Sequence, residues 1–189
     1  SNISASIFGS LFQGVMDEKQ RRELGPHYTS EKNILKVIQP LFLEELYIEF
    51  DEDKYNSKKL EEFYKKLSKL KFLDPACGCG NFLVTTYREI RKLELEVLKL
   101  KRKNNQLSLL GTDELSIVNV NQFYGIEIEE FPSLVARVAM YLVDHQMNQL
   151  LSEEFGLYQA RIPLREPATI VNADALTTDW ESVVPKNEL

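Results

Sequence analysis

The sequence predicts an α/β fold in which a parallel sheet follows a helical leader. Three observations predict it. Short apolar runs, "KFLDPA", "QFYGIEI" and "ATIVNADAL", are separated by long stretches of helical period. Upstream of the first run, every periodic stretch has a helical spacing. Strand, helix, strand, helix, strand in that order implies parallel pairing with right-handed crossovers.

The elements follow in order. Ile7, Leu11, Phe12, Val15 and Met16 give a helix over Ile3 to Arg22 that stops near Gly25-Pro26. The polar loop "GPHYTS" leads to Ser30, an N-cap for a helix with an apolar face of Ile34, Leu35, Ile38, Leu41 and Phe42. Pro40 should break or kink it, because proline lacks the N–H and crowds the preceding turn. Asp51 to Ser57 reads as a polar connection, and "SKKLEEFYKKLSKL" as an amphipathic helix up to Leu70. After the strand "KFLDPA" and the turn "GCG", a long helix runs from Asn81 to about Lys103, its inner face Phe82, Tyr87, Ile90, Leu93, Val97 and Leu100. An irregular insertion then leads to "QFYGIEI". Pro132 suits the first turn of the next helix, with Leu134, Val135, Val138, Leu142 and Val143 as its core face. A proline-interrupted loop leads to "ATIVNADAL".

Composition bounds the class. A chain of 189 residues, 43% hydrophobic and 28% charged, holds one ordinary domain with a real core. No apolar run approaches the roughly 20 residues that span a bilayer, so no membrane partner is expected. The N-terminus lacks the basic start and cleavage site of a secretory signal. With that, two cysteines beside three methionines indicate a reducing, cytoplasmic setting. A net charge of −6 opposes tight nonspecific binding to phosphate backbones. Any nucleic-acid contacts would lie mostly outside this chain.

Ligands of open parallel sheets bind beyond the carboxyl ends of the strands. The first strand ends in "DPACGCG", where Gly78 and Gly80 let backbone approach a ligand and the following helix offers free N–H groups. The second ends in "GIEI", placing Glu127 where it could accept from both hydroxyls of a ribose. The third ends in "NADAL", placing Asp174 where it could accept from an exocyclic amine such as adenine N6. Together they describe an adenosine-containing ligand. A dinucleotide site would show G-x-G-x-x-G; here the third glycine is absent and Asp74 precedes the turn, suited to an ammonium. That points to S-adenosyl-L-methionine.

The motifs resemble those of the gamma-class adenine-N6 DNA methyltransferases, whose cofactor motifs precede the catalytic motif. "GPHYTS" resembles their N-terminal cofactor loop, "DPACGCGNF" the methionine-binding loop, "YGIEI" the ribose strand end and "NADAL" the adenine strand end. "FLDPACGCGNFLVTTYREIRKLELEVL" and "FYGIEIEEFPSLVARVAMYLVDHQMN" are similar, more narrowly, to the MmeI-like type II restriction–modification enzymes. The resemblance implies a partial Rossmann-like S-adenosylmethionine-dependent methyltransferase fold, comprising its first three parallel strands behind a helical segment. It implies that Tyr28 and Thr29 contact the methionine end, that Asp74, Ala76 and Gly78 shape its pocket, and that Glu127 holds the ribose. Ile128 would pack on the adenine, and Asp174 and Ala175 would read its edge.

One departure bears on catalysis. The family positions its flipped target adenine with Asn/Asp/Ser-Pro-Pro-aromatic, and this sequence contains no Pro-Pro. No catalytic residue is therefore assigned. Residues 1–70 are expected to form the helical segment, with the cofactor loop at 25–30. Residues 71–189 are expected to be the N-terminal half of the catalytic domain, stopping before the catalytic strand. Such a half-domain is expected to be inactive alone and to self-associate through its exposed sheet edge. Double-stranded DNA is the expected partner. A methyltransferase acting on protein or RNA, and a non-catalytic interaction module, remain as alternatives.

Other features carry less. Cys77 and Cys79 have only His27 and His145 as further soft ligands, and structural zinc usually takes four in other spacings, so no metal is expected. They read as small buried turn residues. The acid-x-Lys string within Asp51 to Lys54 reads as a charged linker, "KLKRK" as a solvated helix end, and His145 as a surface or interface histidine.

Overall fold

The computed structural model describes residues 29–104, 116–156 and 167–186. The helix expected over Ile3 to Arg22, the loop up to Tyr28, most of the insertion and the proline-interrupted loop lie outside the described residues.

Ser30 has extended backbone and its carbonyl accepts from Asn33 and Ile34, but its side chain makes no cap. It opens α1 (Glu31–Ile38), which continues through a π-helical turn (Gln39–Leu43) into α2 (Glu44–Asp53). Pro40 therefore widens the helix rather than ending it. The wide turn accommodates the proline ring and shifts the register of everything after it. This corrects the expected face: Leu43 and Leu46 enter the core, Phe42 is half-buried and Leu41 is 69% exposed. Asp51 to Asp53 belong to the last turn of α2, not to a linker. Asn56 caps α3 (Ser57–Leu67) by accepting from the Lys58 and Lys59 N–H groups at 3.0 and 3.2 Å.

β1 (Phe72–Asp74), β2 (Phe123–Glu127) and β3 (Thr169–Asn172) form a parallel sheet in the order β1-β2-β3. Asp74 lies opposite Gly125, and Glu127 opposite Asn172. The first and third strand ends thus flank the middle one. α4 (Asn81–Lys103) and α5 (Glu130–Phe155) connect the strands and pack on each other, and a short α6 (Trp180–Val183) follows β3.

The main core lies between the helices and one sheet face. Phe72 stacks on Phe123 with ring centres 4.9 Å apart, and Tyr87 meets Phe123 edge-on at 5.2 Å. The other face holds a small cluster of Tyr124, Ile126 and Val183. β2 is therefore buried on both faces, as its unbroken apolar run requires. On α4, Tyr87, Ile90, Leu93 and Val97 are buried as expected, while Phe82 and Leu100 are half-buried and Leu83, Val84 and Leu98 are buried.

α5 turns a different face inward from the one its large residues suggest. Ser133, Ala136, Ala139, Met140 and Val143 are buried; Leu134 and Val138 are exposed, and Val135 and Leu142 half-buried. The reason is distance. A Cβ at Gly80 would lie 3.1 Å from the Cβ of Ala136. Where α5 approaches the turn this closely, only small side chains fit between them.

A polar network crosses the core. Arg91, 3% exposed, pairs with Glu94 at 3.0 Å and donates to Tyr87 at 2.7 Å and Asn148 at 2.9 Å. Tyr87 donates to Asp144 at 2.5 Å. Glu94 accepts from the Ile117 and Val118 N–H groups at 2.7 and 2.9 Å. The network ties α4 and α5 to the segment entering β2.

Candidate cofactor site

β1 delivers Asp74 to the sheet's carboxyl end, where the chain turns at once. The Asp74 carboxylate accepts from the Ala76 N–H at 3.1 Å, and the Cys77 N–H donates to the Ile126 carbonyl at 3.0 Å, carrying the turn over to β2. Gly78 and Gly80 have φ of 53° and 82°, left-handed values that favour glycine. Gly80 is the N-cap of α4 and is pinned by Ala136; at Gly78 a Cβ would meet nothing within 4 Å. The two glycines thus serve different ends: Gly80 permits packing, and Gly78 faces open space.

Glu127 fastens this loop to β2. Its Oε2 accepts from the Gly78 N–H at 2.8 Å and its Oε1 from the Glu129 N–H at 2.9 Å. A carboxylate has about four acceptor positions, so each oxygen keeps a lone pair for a further donor. Asp74 lies in the same field. Burial raises its pKa, the Ala76 N–H opposes this, and the negative Glu127 adds to it. Two neighbouring carboxylates disfavour a phosphate and suit a cation flanked by hydroxyls.

The third strand end joins them through the backbone. The Ala173 N–H donates to the Glu127 carbonyl at 3.0 Å. Asp174 accepts from the Leu176 N–H at 2.9 Å, and its carbonyl accepts from the Thr177 and Thr178 N–H groups, a tight turn that fixes its carboxylate. The Ala175 carbonyl accepts from the Trp180 indole at 2.8 Å. Ile128 is 63% exposed and Leu176 94%, so apolar side chains stand at the rim.

The family model described as MmeI, DNA-methyltransferase domain, matches residues 50–189. The chain belongs to that family. It is 59% identical, with a TM-score of 0.90, to a chain in the structure of the type IIL restriction–modification enzyme MmeI in complex with DNA, covering 97% of this chain and 24% of that one. It is also 41% identical over 188 residues to DNA methyltransferase A of Bacillus subtilis (strain 168), spanning 98% of this chain and 21% of that protein's length. Its sheet and leading helices are those of an MmeI methyltransferase domain.

Within this MmeI-type domain, Asp74 is bonded to the Ala76 N–H and Glu127 to the Gly78 N–H on the same turn, and Asp174 and Ala175 follow the strand that pairs with Glu127. Ile128 adjoins them. Tyr28 lies outside the described residues. Thr29 is half-buried just before α1, and among the described residues no hydrogen bond joins it to the strand ends. α1 is tied to the helix behind the glycine turn by the 3.0 Å Arg88 to Glu31 ion pair.

The cysteines are small buried groups, as the sequence suggests. Burial, then Asp74 and Glu127, push the Cys77 thiol up to about 12, and burial with Glu127 pushes Cys79 up to about 11. Thiols so protonated at neutral pH are inert. The sequence reading passed over Gly125 and Asn172. A Cβ at Gly125 would fall 2.7 Å from Cys77 Sγ and 2.9 Å from Ile170 Cδ1, so this strand glycine admits the turn. It sits inside "YGIEI", where a glycine in a buried strand marks a close approach. Asn172 had no such signal: it reads only as a polar strand end.

Proposed function

We propose that this chain is the S-adenosyl-L-methionine-binding part of a site-specific DNA methyltransferase that methylates adenine N6 within a restriction–modification system. The observation that carries it is the 2.8 Å bond from the Gly78 N–H to Glu127, beside a second carboxylate at Asp74. It supports a ligand with a cationic end and a diol, and the open space at Gly78 leaves room for it. Family membership supports DNA as the acceptor.

The ligand would supply an activated methyl group on its sulfonium. Asp74 would pair with the ammonium, with Ala76 and Gly78 shaping the pocket around the methionine end and Tyr28 and Thr29 contacting it. Glu127 would spend its two remaining lone pairs on the ribose hydroxyls. Ile128 would cover one adenine face, and Asp174 and Ala175 would read the adenine edge. Methyl transfer needs no acid or nucleophile from these residues, only a fixed donor in line with the acceptor. With no Pro-Pro in the sequence, the target base would be positioned by residues outside this chain. Most contacts to double-stranded DNA would lie there too, in keeping with the net charge of −6.

Residues 1–70 would form the helical segment and 71–189 the first half of the catalytic domain. Alone, this half-domain would be inactive. Among the described residues nothing pairs with the outer side of β1, so the chain alone would associate there. The Ile170 carbonyl on β3 is already engaged by Arg137 at 2.6 and 3.2 Å. No described helix is long and apolar enough to cross a membrane, and the site of action would be the cytoplasm.

Incubating the intact protein with methyl-labelled S-adenosylmethionine and DNA, then analysing the nucleosides, tests this reading. Label in N6-methyldeoxyadenosine is expected. Label confined to cytosine, RNA or protein would overturn it.

A further inference from the structure

We propose that Asn172 is a positioning residue for the adenosine half of the ligand; this rests on the cofactor reading above. Its side-chain nitrogen lies 2.9 Å from the Glu127 carbonyl and 2.8 Å from the Ile128 carbonyl. Two acceptors can be faced only by the NH₂ end of an amide, so the orientation of Asn172 is fixed by its partners. The residues it grips carry the ribose carboxylate and the adenine-covering side chain. One amide on β3 therefore sets the backbone that presents both.

The site needs such a grip. Just after Glu127 the ladder ends, because Asn172, its partner, is the last residue of β3. Ile128 and Glu129 bridge to α5 with Ile128 held 63% exposed, a position for an apolar side chain that burial does not explain. The Ala173 N–H holds the Glu127 carbonyl from the same strand end. Asn172 extends that hold by one residue, past the end of the strand. Because ligand contacts depend on sub-ångström placement, loosening this segment acts on binding without removing any group that touches ligand.

A purely structural role, ending β3 neatly, is the competing account. The two differ in what they move. Asn172→Asp turns the donor into oxygens facing two carbonyls; Asn172→Ser keeps one donor on a shorter arm. Calorimetric titration of the intact protein and both variants with S-adenosylmethionine, alongside denaturant midpoints, separates them. Expected are a binding loss of about tenfold or more in Asn172→Asp, from two lost bonds to carbonyls, and partial recovery in Asn172→Ser. Asn172→Asp should lower the midpoint modestly, because the same two bonds exist without ligand, but its affinity loss should exceed what that shift accounts for, and the pH dependence of binding set by Asp74 should persist in Asn172→Ser. Equal affinity in all three proteins, or losses that merely track the midpoints, would overturn the proposal while leaving the cofactor reading intact. Failure of the unaltered protein to bind would overturn both.

Discussion

Asp74 is the residue whose surroundings most constrain the proposed ligand. Burial raises its pKa, the Ala76 N–H draws it partly back, and Glu127 adds to the rise. The folded-state value therefore exceeds the unfolded one. Its contribution to stability is fully present below the ordinary aspartate range and is lost as pH rises through the raised value. The proposed ligand binding would run the other way, because the ionised form is the one that would pair with an ammonium. Affinity for S-adenosylmethionine should therefore fall as pH drops through the raised Asp74 value. Titrations across the acidic range would show it, and Asp74→Asn should bind weakly with that dependence flattened. A wild-type affinity flat across the range would show that Asp74 faces no cation.

At the scale of elements, the glycine turn and the helix behind it divide two tasks that the string "DPACGCGNF" does not distinguish. Gly78→Ala places a Cβ in open space and strains a φ of 53°, costing about 1–2 kcal/mol of stability. It should nevertheless weaken ligand binding strongly, since that space is the proposed pocket. Gly80→Ala adds contact with Ala136 at 3.1 Å to a φ of 82°, and should lower the denaturation midpoint further. Comparing midpoints with affinities for the two variants checks the division. Strands and helices were legible here because their periods are clean: Asn81 to Lys103 was bounded correctly by the turn before it and the polar run after it. Inward faces were less legible. On α5 the large residues Leu134 and Val138 imitate a core stripe, but the approach to Gly80 selects Ala136 and Ala139 instead. Likewise Pro40 announced a kink or a break, and the chain took one wide turn that carried Leu41 out and Leu43 in. The positions of the candidate site's acids could be read because strand ends are recognisable. Its braces, Gly125 and Asn172, depend on which strand lies beside which, and that order is not written locally.

Across the whole molecule, the parts that hold the site are joined by buried charge. Arg91 serves Glu94, Tyr87, Asp144 and Asn148 at once, linking α4, α5 and the approach to β2. Arg91→Met should destabilise by about 3–5 kcal/mol, because Glu94 and Asp144 would stay buried without their cation. Chemical denaturation measures this, and a loss near zero would mean that the carboxylates find other partners. None of its bonds reaches Asp74, Glu127 or Asp174; it holds the two helices and the approach to β2 together. What the strand ends bind is the central claim, that Asp74 on β1, Glu127 on β2 and Asp174 beyond β3 frame one pocket for S-adenosylmethionine. Calorimetric titration of the intact protein against its Asp74→Ala, Glu127→Ala double variant tests it most directly. The account predicts saturable binding by the first and a loss of at least about a hundredfold in the second. Equal binding by both would contradict it.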